Sequence, residues 1–139
     1  MHAGGTRSLH VERRVADVGS VPRLGPEAAV SVQATSPLFA RESFWCIVRT
    51  LEAAGFQVVP YQAAVPSFGV WGFALARLQP FRPPLSVAAA PTGLRFLNDD
   101  ALAGLYRFPA DMGPVPVEVN RLDNQVLVRT YEREWRRWD

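Results

Sequence analysis

The stretch Val65-Pro66-Ser67-Phe68-Gly69 constrains this chain more than any other, because it makes two neighbouring strand-like runs fold back on each other. Those runs are Gln57–Ala64 and Val70–Ala76. Pro66 fixes φ and has no N–H to donate, while Gly69 tolerates the positive φ that tight turns demand. A connection this short permits only antiparallel pairing. Pro60, inside the first run, assigns that strand to a sheet edge. In the second run Trp71, Phe73 and Leu75 alternate with Val70, Gly72, Ala74 and Ala76. The large residues then face one layer, and the small ones allow close approach on the other. Phe68 is carried at the tip of the turn, where a scaffold presents a side chain to a ligand or partner. The alternative is a plain hairpin with an aromatic plug.

Upstream, Ala29-Val30-Ser31-Val32-Gln33 carries a short strand signal. Strand C-terminal ends line the ligand crevice of α/β sheets, which makes Gln33 a site candidate. The alternative is a polar residue that caps the following loop. Thr35-Ser36-Pro37 gives a helix-start signal, and the spacing predicts a helix from about Ala40 to Ala54. Its buried stripe is Phe44, Ile47, Val48 and Leu51, with Arg41, Glu42, Arg49 and Glu52 on the solvated face. Gly55 suits the position just past the helix, and Phe56 can pack back on the last turn. Strand, helix and strand in this order read as a crossover unit, one half of a βαβ layer over Ala28–Ala64. Residues 1–27, rich in Gly, Arg and Pro, read as a mobile leader.

Downstream, Arg77–Gly93 holds four prolines and reads as an extended connector. Leu94–Leu97 reads as a brief extended piece. Asn98 is an N-cap, with Asp99 and Asp100 in the first turn of a helix that reaches about Arg107. Capping accounts for the paired aspartates without invoking a metal or acid–base chemistry. A last helix is expected from Asn120 to Trp138, with Leu127, Tyr131, Trp135 and Trp138 as its apolar stripe. Arg129, Arg133, Arg136 and Arg137 form its basic side, interleaved with aromatics in a way that suits RNA or lipid. Glu132, Glu134 and Asp139 offset much of that charge, so the preferred reading is a docking helix with a solvated face.

Composition narrows the function classes. All 15 basic residues of the 139 are arginine, yet the net charge is only +2 and no basic stripe precedes the C-terminus, so no nucleic-acid partner is expected. Cys46 is the single cysteine, which removes any disulfide framework and fits a reducing, cytoplasmic setting. It reads as a small core residue. Both histidines, His2 and His10, sit in the leader, which argues against a His-based triad or a Cys/His metal site. The longest mainly apolar run, Ala63–Ala76, is broken by Pro and Gly and is too short to span a bilayer.

Four segments then carry a specific resemblance: Gln33-Ala34-Thr35-Ser36-Pro37, Phe44-Trp45-Cys46-Ile47-Val48, Leu51-Glu52-Ala53-Ala54-Gly55-Phe56 and Val65–Phe73. Leu94–Asp100 through Phe108-Pro109, and Asn120–Gln125, extend it to the end of the chain. In this order and spacing they resemble the C-terminal half of the spermidine synthase-like proteins, the polyamine aminopropyltransferases, in particular a bacterial branch whose longer members carry membrane segments upstream. The resemblance implies an α/β fold over residues 28–139: part of a Rossmann-like sheet of the class I methyltransferase type, closed by an antiparallel hairpin. It implies transfer of an aminopropyl group from decarboxylated S-adenosylmethionine to putrescine or a related diamine, an in-line displacement that needs a neutral, well-aimed amine.

By resemblance, Gln33 borders the polyamine site, Phe68 lines it in place of the usual Tyr, and Pro66, Ser67 and Gly72 shape it. Phe68 lacks the Tyr hydroxyl, and Val70 stands where a polar or acidic residue is usual. The family's Gly-rich nucleoside loop, its acidic ribose-binding residue and its Asp-bearing catalytic loop have no counterpart in Met1–Glu27, where Gly4-Gly5 alone is no such loop. The implied reading is a portion of a transferase, inactive alone through truncation or an upstream frameshift, with no catalytic or cofactor-holding residue of its own. One side of the Ala29–Gln33 strand is expected to lack a partner. That edge and the Trp-rich final helix give a second reading, a non-enzymatic interaction module that binds another copy or another protein.

Overall fold

The computed structural model describes residues 25–88 and 90–138. The leader expectation therefore lies outside the described residues, apart from Gly25, Pro26 and Glu27. Three strands form one sheet: β1 (Ala29–Gln33), β2 (Gln57–Val65) and β3 (Gly69–Arg77). Helix α1 (Arg41–Ala53) joins β1 to β2, and α2 (Asp99–Leu105) and α3 (Val126–Trp135) follow β3. The strand order is β1-β3-β2, with β3 antiparallel to both neighbours. The hairpin and the edge position of the Pro60 strand are as the sequence predicts. The crossover through α1 joins two strands of like direction in one sheet, as expected, but not neighbouring ones. β1 and β2 run in the same direction but never touch, because β3 lies between them. The outer edge of β1 has no partner strand among the described residues.

Directly paired residues share a face, so the register sorts the sheet. Gly72, Ala74 and Ala76 lie under α1 and are buried, with Val32 and Val58 beside them. A Cβ on Gly72 would fall 2.3 Å from Phe44 Cε2 and 2.7 Å from the Thr35 carbonyl, so only glycine lets the Phe44 ring sit on the strand. Trp71, Phe73 and Leu75 take the opposite face and are half-buried. There Tyr61 stacks on Phe73 at 5.1 Å, and its hydroxyl reaches Ser31 Oγ at 3.0 Å across the intervening strand.

Helix α1 buries Phe44, Trp45, Cys46, Val48 and Leu51, a wider stripe than the spacing suggests. Gly55 ends it with φ 95°, and the Gly55 and Phe56 amides return to the Glu52 and Leu51 carbonyls. Arg41 is not solvated as expected. Its Nε donates to the Gly113 carbonyl (2.7 Å) and a terminal nitrogen to that of Ala110 (3.0 Å). Trp45 Nε1 donates to Met112 O, Cys46 Sγ to Glu118 O, and Thr50 Oγ1 accepts the Asn120 amide. One side of α1 thus holds the irregular strap Ala110–Asn120. Just ahead of the strap, Phe108 packs on Phe44 and Trp45 at 5.8 and 5.4 Å.

Ser36 does not start the helix. Its hydroxyl accepts the Leu38 and Phe39 amides in a separate turn, and Ala40 at the N-cap supplies no side-chain bond. The cap comes from α3. The Glu134 carboxylate, 4% exposed, accepts the Glu42 amide (2.7 Å), the Ser43 amide (3.0 Å) and the Ser43 hydroxyl (2.6 Å). These are orphan donors at the positive end of a helix, where a carboxylate is most effective.

Two expectations for the C-terminal region are corrected. The final helix begins at Val126, because Gln125 takes φ 44° and two asparagines compete for the backbone donors. Asn120 Oδ1 accepts the Leu127 amide, and Asn124 Oδ1 accepts those of Arg121 and Val126. Its fully buried residues are Thr130 and Glu134, whereas Tyr131 and Trp138 of the predicted stripe are 40% and 58% exposed. Leu94–Leu97, expected as a brief extended piece, bends at Arg95 and Phe96 and joins no sheet among the described residues. Asn98 does cap α2, accepting the Ala101 amide at 2.8 Å, while Asp99 accepts that of Val87.

Candidate functional site

The hairpin turn is built from the residues singled out by the sequence. The Phe68 amide donates to the Val65 carbonyl (3.0 Å), which places Pro66 and Ser67 at the two central positions of a β-turn. Ser67 has φ 70°, the value a type II turn requires at its third residue and one that normally selects Gly or Asn. A serine there costs about 1 kcal/mol of backbone strain. Gly69 follows with φ 76°, and the Phe39 ring sits 3.8 Å from where its Cβ would be. Pro66 and Ser67 are exposed, and Phe68 is 66% exposed with its ring edge-on to Trp71 at 6.0 Å.

Gln33 ends β1 opposite Phe73, exposed and on the face that Trp71 also occupies. Just past it the ladder is irregular. The Ala34 amide donates to Gly72 O (2.9 Å), and the Gly72 amide donates back to Thr35 O (3.1 Å). Two residues of one strand face one of the other, which is a bulge and bends the strand at this end. All four candidates, Gln33, Pro66, Ser67 and Phe68, therefore belong to the same end of the sheet. None of them lines the two open grooves along α3, of about 620 Å³ and 360 Å³.

Sequence reasoning missed the aromatic support behind this end. Trp138 meets Phe39 edge-on at 5.0 Å and donates from Nε1 to the Phe39 carbonyl (3.1 Å), and Trp135 lies 6.3 Å from the same ring. The last turn of the chain therefore braces the segment that touches Gly69. The tryptophans were visible in the sequence, but their partner was not. Among the described residues no three His, Cys, Asp or Glu side chains converge as a metal site would require, and His2 and His10 lie outside them. Cys46 is buried, and burial raises its thiol above the ordinary value of 9.0. No described helix is long and apolar enough to cross a membrane.

Comparison with known proteins bears on what this arrangement belongs to. A polyamine aminopropyltransferase of Leptospira interrogans is 50% identical over 115 residues, 83% of this chain and 22% of its own length. This chain is a relative of the polyamine aminopropyltransferases. Polyamine aminopropyltransferase 2 of Ralstonia nicotianae is 46% identical over 127 residues, and the Mycobacterium tuberculosis polyamine aminopropyltransferase is 38% identical over 112. These cover 90% and 81% of this chain but 22% and 21% of their own lengths. The chain thus spans about a fifth of the length of the curated aminopropyltransferases it matches, which is consistent with a C-terminal portion of that family. No protein-family model matches it.

Proposed function

We propose that this chain is the C-terminal portion of a spermidine synthase-like aminopropyltransferase and that its sheet is the end of a Rossmann-like sheet of the class I methyltransferase type. In this reading Gln33 and Phe68 border a polyamine pocket that Pro66 and Ser67 shape. The observation that supports it best is the match of 81–90% of the chain to named aminopropyltransferases. The common placement of the four residues at one sheet end agrees with it. In the whole protein a neutral amine attacks the aminopropyl carbon bound to the sulfonium of decarboxylated S-adenosylmethionine. The C–N bond forms as the C–S bond breaks, and the released thioether carries the nucleoside. The part played by this chain is the far wall of the acceptor pocket, which positions the amine. The nucleoside and the catalytic base belong to other parts of the protein, so the chain alone is inactive. The setting is the cytoplasm.

A chimera tests this reading. Residues 28–139 replace the matching segment of the Leptospira relative, and aminopropyl transfer to putrescine is measured. The chimera is expected to turn over and to lose activity on Gln33→Ala, while the 139-residue chain alone has none. Turnover by the isolated chain overturns the assignment as a portion. A folded but inactive chimera overturns the pocket wall.

The outer edge of β1, which has no partner strand among the described residues, favours a second reading, an interaction module that recruits another copy or a protein partner through that edge and the exposed Trp138. Light scattering separates the two: a monomer at all concentrations counts against the module.

A further inference from the structure

Of the carboxylates that the sequence sets against the arginines of α3, Glu134 is not available to them, Glu132 is only loosely paired, and Asp139 lies outside the described residues. Glu134 is buried and its oxygens are occupied by three donors of α1. Glu42 forms its ion pair with Arg133. What remains at the surface is Arg129, Arg133, Arg136 and Arg137, which with Glu132 line the 360 Å³ groove. Arg129 and Arg133 also line the adjoining 620 Å³ groove between α1, α3 and the strap. Glu132 lies 3.9 Å from Arg136 in an exposed pair of little strength. Arg129 and Arg137 make no ion pair with any described carboxylate. Arg129 is held in place instead by the Asn124 carbonyl at 2.6 Å, so part of its side-chain freedom is already lost.

We propose that this face of α3 binds a phosphate-bearing anion, with Arg129 and Arg137 as the principal donors and Arg133 and Arg136 beside them. The four guanidinium groups carry more positive charge than the two carboxylates paired with them, Glu42 and Glu132, can match. Their planar forks offer paired N–H donors in the geometry phosphate oxygens accept. A free polyphosphate and a lipid headgroup share this chemistry. Neither Gln33 nor Phe68 lines these grooves, and the proposal does not depend on the polyamine reading.

The test titrates the full chain with inorganic tripolyphosphate and follows backbone amide shifts. In parallel, cosedimentation compares vesicles of neutral phosphatidylcholine with vesicles that also carry phosphatidylglycerol. Saturable, salt-sensitive binding with shifts confined to α3 is expected. The double variant Arg129→Gln, Arg137→Gln should weaken it by about tenfold or more, with an unchanged urea midpoint. Arg49→Gln, on another surface of α1, should leave binding intact. Tripolyphosphate binding alone supports a free phosphate as the source, and preference for the charged vesicles supports a headgroup. Failure to saturate with either, or equal binding by the double variant, overturns the proposal.

Discussion

The two faces of β3 handle size in opposite ways. Under α1 the strand presents Gly72, Ala74 and Ala76, all buried, while Trp71, Phe73 and Leu75 on the other face remain half-buried. Small residues are inside because the packing there is supplied by α1, whose Phe44 is fully buried against the glycine. Large residues on the open face cover one another, as Tyr61 does Phe73. Side-chain size along a strand thus reports which partner supplies the volume, and burial does not simply follow hydrophobicity.

Substitutions on the two faces put this contrast to the test. Phe44→Ala should cost about 4 kcal/mol of folding stability by urea denaturation, since it empties the space above Gly72. Gly72→Ala should cost about 3 kcal/mol on the same face, because its new methyl meets backbone as well as ring. Glu134→Ala, which uncaps α1 and loosens α3, should cost about 2 kcal/mol. On the open face, Phe73→Ala should cost about 1 to 2 kcal/mol. If it matches Phe44→Ala, that face is covered in solution and the contrast fails. Phe68→Ala at the turn tip should change stability by less than about 0.5 kcal/mol.

The smallest effect concerns Cys46. Burial raises its thiol in the folded chain, so the folded state holds the proton to higher pH than the unfolded state. Its contribution is complete below the ordinary value of 9.0 and is lost as pH rises past it. The stability difference between wild type and Cys46→Ala should therefore shrink in alkaline solution, as read from urea midpoints.

The sequence displayed the elements whose signals are local. Pro66 and Gly69 announce the hairpin, Pro60 its edge, Asn98 the cap of α2, and Gly55 the end of α1. What stayed hidden depends on distant partners. Arg41 and Glu134 look like surface charges by helical spacing, yet each satisfies backbone groups on a segment dozens of residues away. The strap Ala110–Asn120 has no period to read, because side chains of α1 hold it. Asn120 and Asn124 look helical by position but act through their side chains. For the candidate site, the strand end and turn were legible. The positive φ of Ser67 and the Phe39–Trp138 brace were not, since neither leaves a mark on residue type alone.

The central place of β3 has a consequence for how the chain is made. Until Gly69–Arg77 has left the ribosome, β1 and β2 have no strand between them to link them, since each pairs with β3 and not with the other. A nascent chain stopped at the hairpin tip should be fully protease-sensitive, and the addition of this one strand should confer protection on both flanks at once.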